Sequence, residues 1–312
     1  MKTTLELPAE LEPFRQEIES SEKPVIKITY ERKATDLWSS KFGGVPYLPK
    51  GYDFPKDSEG KYMHLLAQLN FEEIFAQVPY LAPFPTKGIL QFYIGRTGWY
   101  GMDTEKLDNQ TDFKVLYFPE TDINDCQTNF DFLLDLNETY STLNKQKFSG
   151  LQWVNKNNCP IDYPFADCIS EQHYCSPLKN KDVNNSQESL ALQFRSDNTW
   201  VNPNDYQFDN FFEEHKLQNF WGLISADDNT LFEWYCDNIY QRQPKIGGYG
   251  FFTQTDPREY SPQYKDHKVV LLHMISDDEI CWGDCGVGNF LIRAEDLENL
   301  DFSQVIYNYD CS

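Results

Sequence analysis

Lys41-Phe42-Gly43-Gly44-Val45-Pro46-Tyr47-Leu48-Pro49 and Lys245-Ile246-Gly247-Gly248-Tyr249 share one pattern, a lysine and an apolar residue ahead of two adjacent glycines. Such pairs mark a tight turn whose backbone would strain most side chains. Each turn is followed by the same succession of apolar segments. After the first come HLLAQLN (64–70), GILQFYIG (88–95) and FKVLYFP (113–119); after the second come VVLLHMIS (269–276), GVGNFLI (286–292) and DFSQVIYNYD (301–310). Four segments recurring in one order predict an internally duplicated fold. The apolar, β-branched and aromatic content of the segments makes them strands. The expectation is a single α+β domain over residues 1–312, with mostly antiparallel sheets and a few helices. Two strand-rich repeats, about 25–119 and 245–310, would be related by a pseudo-two-fold.

Outward from these repeats the signals weaken. Pro8 with Leu11, Phe14 and Ile18 at helical spacing predicts an amphipathic helix over about 8–20. PVIKITYE (24–31) reads as a strand and FEEIFAQV (71–78) as a short helix. Residues 120–244 form a middle segment rich in Asn, Asp, Gln and Ser up to about residue 200, read as a loop-rich linker interrupted by apolar runs such as LALQF (190–194). Its last part, 205–223 and 227–243, carries helical patterns, the second with Asp227 as N-cap.

Aromatic residues make up 16% of the chain, with 23 Phe and 19 Tyr. So many rings need burial, which excludes a disordered chain and favours half-buried sheet surfaces. Lys and Arg total 27 against 49 Asp and Glu, a net charge of −22. Nucleic acid and anionic membrane surfaces are repelled by such a chain, because binding either needs a basic footprint. The partner that its charge suits is a basic protein. MKTTLELPAELEPFRQEIES at the N-terminus lacks the apolar core of a signal peptide, and no window reaches membrane-spanning length. A cytoplasmic protein with reduced thiols is the expectation.

Chemistry is harder to place. No Gly-x-Ser-x-Gly elbow, phosphate loop or His-Glu-x-x-His motif occurs. The densest polar cluster is Ser276-Asp277-Asp278-Glu279-Ile280-Cys281-Trp282-Gly283-Asp284-Cys285-Gly286. It reads as a hairpin turn whose carboxylates cap backbone amides, or as a cation or acid–base site. Cys281 and Cys285, like Cys159, Cys168, His173 and Cys175, lack the two close pairs of structural zinc, and no cofactor is expected. Both glycine turns carry a lysine, Lys41 and Lys245, and both following strands carry a buried-position polar residue, Gln68 and His273. Brought together by a two-fold, these predict a ligand-binding cleft, with Gln254, Asp277, Trp282 and Asp284 as further lining.

KFGGVPYLPKGYDFP, LLAQLNFEEI, KIGGYGFFTQTDPREY, WGDCGVGNFLI and DFSQVIYNYDCS resemble the YwqG-like bacterial family, a domain of unknown function. That resemblance implies a duplicated α+β fold and a cytoplasmic bacterial origin, and it carries no activity or catalytic residue with it. The family pattern has Gln-Met-Asp-Ser-Asp where this chain has His273-Met274-Ile275-Ser276-Asp277, and an apolar residue in place of Cys281. The functional expectation is a non-catalytic protein-binding factor, of immunity or antitoxin type, acting through an acidic surface. The alternative is a small-molecule-binding protein or hydrolase with its cleft between the repeats.

Overall fold

The computed structural model describes residues 5–95, 98–130, 132, 188–225, 230–277, 280, 282 and 285–311. Among these residues ten strands make one antiparallel sheet: β1 (Lys23–Ala34), β2 (Lys41–Phe42), β3 (His64–Asn70), β4 (Ile89–Ile94), β5 (Phe113–Phe118), β6 (Glu188–Thr199), β7 (Lys245–Gly247), β8 (Val269–Ile275), β9 (Val287–Ile292) and β10 (Ile306–Asp310). Their order across the sheet is β10-β9-β8-β7-β1-β6-β2-β3-β4-β5. A 12-residue pairing of β1 with β6 joins two halves of the sheet, a first made by β6 with β2–β5 and a second made by β1 with β7–β10, so each half takes its central strand from the other half of the chain.

Period-two alternation decides which side chains face inward. Ile26 and Ile28 of β1, and Leu190, Leu192 and Phe194 of β6, fall on one face, and all are buried in the main core. The sheet curls until that face meets itself. Phe92 on β4 lies 4.9 Å from Phe290 on β9, and Phe113 on β5 lies 5.3 Å from Tyr307 on β10. The Tyr307 amide donates to the Leu107 carbonyl at 3.0 Å, so the strand edges nearly meet and the sheet forms a nearly closed barrel. Capping the free edge in this way removes a surface prone to pairing with other chains. Trp282 fills the barrel interior against Tyr100 and Tyr309.

Further apolar layers cover the outside. Val45, Tyr47, Leu48, Phe54 and Phe130 lie over the first half. The second half is covered by α1 (Arg15–Ser20), α3 (Glu214–Ser225) and α4 (Thr230–Tyr235), with Phe14, Phe220 and Tyr235 packed together. Two short helices, α2 (Phe71–Gln77) and α5 (Pro257–Tyr260), follow β3 and β7, and α6 (Ala294–Glu298) precedes β10. No helix among the described residues is long and apolar enough to cross a membrane.

The glycine turns behave as their sequence requires. Gly43 and Gly44 have φ of 66° and 77°, and Gly247 and Gly248 have φ of 76° and 66°. A Cβ on Gly247 would lie 2.8 Å from Leu81, and one on Gly248 would lie 2.6 Å from Thr199, so both conformation and space demand glycine.

Three expectations change. The helix expected over 8–20 is a 3-10 turn at Glu12–Phe14 followed by α1, although Leu11, Phe14 and Ile18 are buried as its pattern requires. Residues 301–305 are not strand; Phe302–Gln304 form a 3-10 turn that Asp301 caps. Within the segment read as a linker, residues 188–199 are a central strand, because Leu190, Leu192 and Phe194 supply an inward face. Asp227 lies outside the described residues.

Candidate functional site

The barrel's outer face holds a row of polar residues that the covering layers seal from water. Lys27 stands opposite Lys245, Lys245 opposite His273, His273 opposite Asn289, and Asn289 opposite Asn308. Five strands thus contribute one residue each, and all five side chains are buried. The first half has a shorter row, with Lys41 opposite Gln68 and Gln68 opposite Gln91. Buried polar groups need partners, so the partners decide what each row does.

In the first half every partner is present. Gln68 accepts from the Tyr47 amide at 2.8 Å and from Gln91 Nε2 at 2.7 Å, and its own Nε2 donates to the carbonyls of Leu37 and Ser39 at 2.7 and 2.8 Å. The Lys41 ammonium donates to the carbonyls of Asp36 and Val45 at 2.6 and 2.8 Å. These side chains fasten the glycine loop to the sheet, and that is structural work.

The second half differs. Lys245 Nζ and His273 Nε2 are buried with no hydrogen-bond partner. Lys245 Nζ instead sits 3.4 Å from the centre of the Tyr240 ring. Lys27 beside it donates to Asp197 at 2.6 Å and also bonds Gln241. His273 Nδ1 lies 2.8 Å from Asn289 Oδ1, and Asn289 Nδ2 donates to the Phe251 carbonyl, so the amide oxygen faces the ring and Nδ1 carries the proton. That leaves Nε2 as an open acceptor. Burial pulls the Lys245 amine well below its ordinary pKa, and the Lys27 charge pushes the same way. Burial likewise lowers His273 to about 3, with Lys245 adding to the effect and the Asn289 bond opposing it.

Tyr240 reaches this row from a π-helical turn, Cys236–Tyr240, which ends on Gln241 at φ 60°. Single π turns and left-handed non-glycine residues both concentrate at functional sites. A lysine whose charge burial disfavours thus stands beside a neutral histidine, with the Tyr240 ring packed against both, and perturbed buried pairs of this kind are candidates for a functional site. The Cys236 thiol at the start of the turn is pushed up to about 12 by burial, which leaves it inert.

An unpartnered buried amine costs stability. Replacement of Lys245 by methionine, of similar length and without the charge, is expected to raise unfolding stability by about 1–3 kcal/mol at pH 7. Urea unfolding measures this, and a loss of stability would show that the amine has a partner of its own.

The remaining expected residues lie elsewhere. Gln254 is exposed and donates to the Cys311 carbonyl at 2.5 Å. Asp277 accepts from the Ile280 amide at 2.9 Å, in the manner of a turn, and also bonds Tyr30. Trp282 is barrel core. Asp284, Asp278, Glu279, Cys281, Cys159, Cys168, His173 and Cys175 lie outside the described residues. Lys41 with Gln68 and Lys245 with His273 form two separate pairs. Three strand spacings and a four-residue offset along β6 put them roughly 20 Å apart, so they do not share one cleft. Among the described residues no group of three His, Cys, Asp or Glu side chains is placed to hold a metal ion.

Two features carry little sequence signal. Arg258 is fully buried, with Nη2 donating to Asp205 at 2.9 Å and to Asp256 at 2.7 Å, and Nη1 to the His267 carbonyl at 2.9 Å. Asp256 also caps α5 through the Arg258 amide, a role visible in Asp256-Pro257, but Asp205 is distant in sequence. The second is a cavity of about 480 Å³ on the first half, lined by Tyr52, Asp53, Phe54, Lys56, Tyr62 and Phe132 among others. Its signal, the aromatic run in Gly51-Tyr52-Asp53-Phe54-Pro55, reads only as a loop.

Comparison with known families matches residues 40–311 to a domain of unknown function, DUF1963. A search of curated proteins finds no match. The matched span takes in both glycine turns, both polar rows apart from Lys27, and every strand except β1. On this match over most of its length, the chain belongs to the DUF1963 family.

Proposed function

We propose that this chain is a non-catalytic protein-binding factor, of the immunity or antitoxin kind, that captures a basic protein through its acidic surface. The observation that carries the reading is the net charge of −22. Burial does little to offset it. Lys27, Lys41, Lys245 and Arg258 are sealed inside, as are Glu17, Asp57, Asp205, Asp256, Asp296 and Asp310, so the surface stays strongly acidic. Such a surface speeds encounter with a basic partner and rejects acidic ones.

The same reading takes the two halves as diverged copies of one unit about a pseudo-two-fold, in a cytoplasmic protein of the YwqG-like bacterial kind. Several correspondences support it. A register shift falls between Leu65 and Ala67 in β3 and between Val270 and Leu272 in β8, each just ahead of the polar residue of its row. Gly88 and Gly286 each press against the carbonyl at the end of the neighbouring strand, Phe118 and Asp310. Lys41 pairs with Ala191 on β6, and Lys245 pairs with Lys27 on β1. These pairings superpose if the axis passes between Thr29 and Gln193, which face each other at the centre of the sheet.

Affinity capture from host lysate tests the function. The expected result is a specific basic protein released progressively as salt rises toward about 1 M, where the screening length falls to about 3 Å. Capture of no specific protein, or capture indifferent to salt, would count decisively against it.

A further inference from the structure

The cavity beside Tyr52 is built for a particular kind of side chain. Residues 56–62 form a hairpin in which Lys56 and Tyr62 pair across a bridge. Asp57 closes it, its amide donating to the Lys61 carbonyl at 2.9 Å and its side chain accepting from the Lys61 amide at 2.9 Å. Behind the hairpin three rings meet: Phe54 lies 5.8 Å from Tyr62 and 5.5 Å from Phe132, and Tyr62 lies 4.8 Å from Phe132. Asp53 is exposed at the opening, and Asp122 and Asp125 stand exposed on the segment that pairs with Pro49.

The rings offer faces to a cation. Lys56 already uses one of them, its Nζ 4.9 Å above the Tyr62 ring. Aromatic faces attract cations through their quadrupole. A guanidinium also stacks flat on such faces while its fork of donors reaches a carboxylate. A cavity of about 480 Å³ is large enough for a peptide segment that carries one such group.

We infer that this cavity seats an arginine of a basic partner segment, the ring faces stacking on the guanidinium and Asp53 accepting its N–H groups; this rests on the acidic-surface reading of the chain. Lys56 then acts against binding. It holds the Tyr62 face and adds a like charge.

The test is titration of isotope-labelled full-length protein with a tri-arginine peptide, followed by NMR, with tri-citrulline as the uncharged isostere. Tri-arginine is expected to shift residues 52–62 and tri-citrulline to leave them unmoved. Asp53→Asn, at an exposed position, should weaken tri-arginine binding by about fourfold, the effect of one charge some 5 Å away in water. Tyr62→Leu should weaken it by about two- to fivefold through the lost ring face. Lys56→Gln should tighten it by about fourfold, a gain that damage to the fold cannot imitate. Equal shifts with both peptides, or no tightening in Lys56→Gln, would overturn the proposal. If the wild-type chain captures a basic protein while tri-arginine leaves residues 52–62 unmoved, the cavity inference fails and the acidic-surface reading stands. If the cavity takes tri-arginine but no basic protein is captured, the cavity stands and that reading fails.

Discussion

Arg258→Met is expected to cost about 3–5 kcal/mol of unfolding stability, because it strands two buried carboxylates. Asp205 and Asp256 are as buried as the guanidinium between them. Burial opposes the charge on Arg258, but Asp205 and Asp256 outweigh it and raise its pKa. With the guanidinium gone, each carboxylate keeps only backbone and amide donors. Asp205 still accepts from the Gln207 amide at 2.9 Å, and Asp256 from the Tyr206 amide at 3.0 Å. Those bonds do not neutralise two like charges held close together. The damage is not local either, since Arg258 ties segment 205–208 to the loop carrying His267 and rests on the rings of Tyr206 and Phe252. A domain is commonly stable by 5–15 kcal/mol, so this single change takes a large share. Urea unfolding at pH 7 measures it. A cost below about 1 kcal/mol would mean that the carboxylates take up protons or water cheaply, and the ion triad would lose its claim as a structural clamp.

How far the architecture can be read from the chain depends on the range of the forces involved. β3, β4, β8 and β9 are legible because their apolar runs and glycine turns are local signals, and their predicted limits fall within a residue or so of the observed ones. β6 is hidden. Its alternation, Leu190-Ala191-Leu192-Gln193-Phe194, is present, but Asn, Ser and Asp surround it, and its partner β1 lies more than 150 residues away. Local composition cannot report a pairing made at that distance. The site divides in the same way. Lys245 and His273 are visible as polar residues in apolar strands, whereas Lys27 joins them only through the β1–β7 register. Nothing near Lys27 in PVIKITYE distinguishes an alternating strand with one lysine turned outward. The asymmetry between the halves was also beyond reach, because Lys41 and Lys245 have like sequence settings. Only the folded chain gives Lys41 two carbonyls and leaves Lys245 against a ring.

His273 makes that asymmetry measurable. It is completely buried and neutral, lowered to about 3 from an ordinary value near 6.5, so between these limits the unfolded chain binds a proton that the folded chain refuses. Stability therefore rises with pH across this window. The contribution is fully present above pH 6.5 and is lost as pH falls toward 3, to a total of roughly 5 kcal/mol. The groups facing His273 do not reverse the sign. Lys245 on β7 resists a second charge, Tyr240 presents its ring, and Asn289 on β9 only holds Nδ1. Other groups titrate in the same range. Burial lowers His267, which acts in the same direction, and raises Asp310, which acts in the opposite one. A comparison of slopes removes them. His273→Gln places there the residue that stands at the matching register position in the first half, Gln68, and takes away the titration while keeping a polar partner for Asn289. Urea midpoints for both proteins at pH 4, 5, 6 and 7 should then diverge, the wild type falling steeply with acid and the variant more gently. Parallel curves would show that His273 accepts its proton in place. In that case water must already reach its open Nε2, and the sealed polar row would be an accessible site.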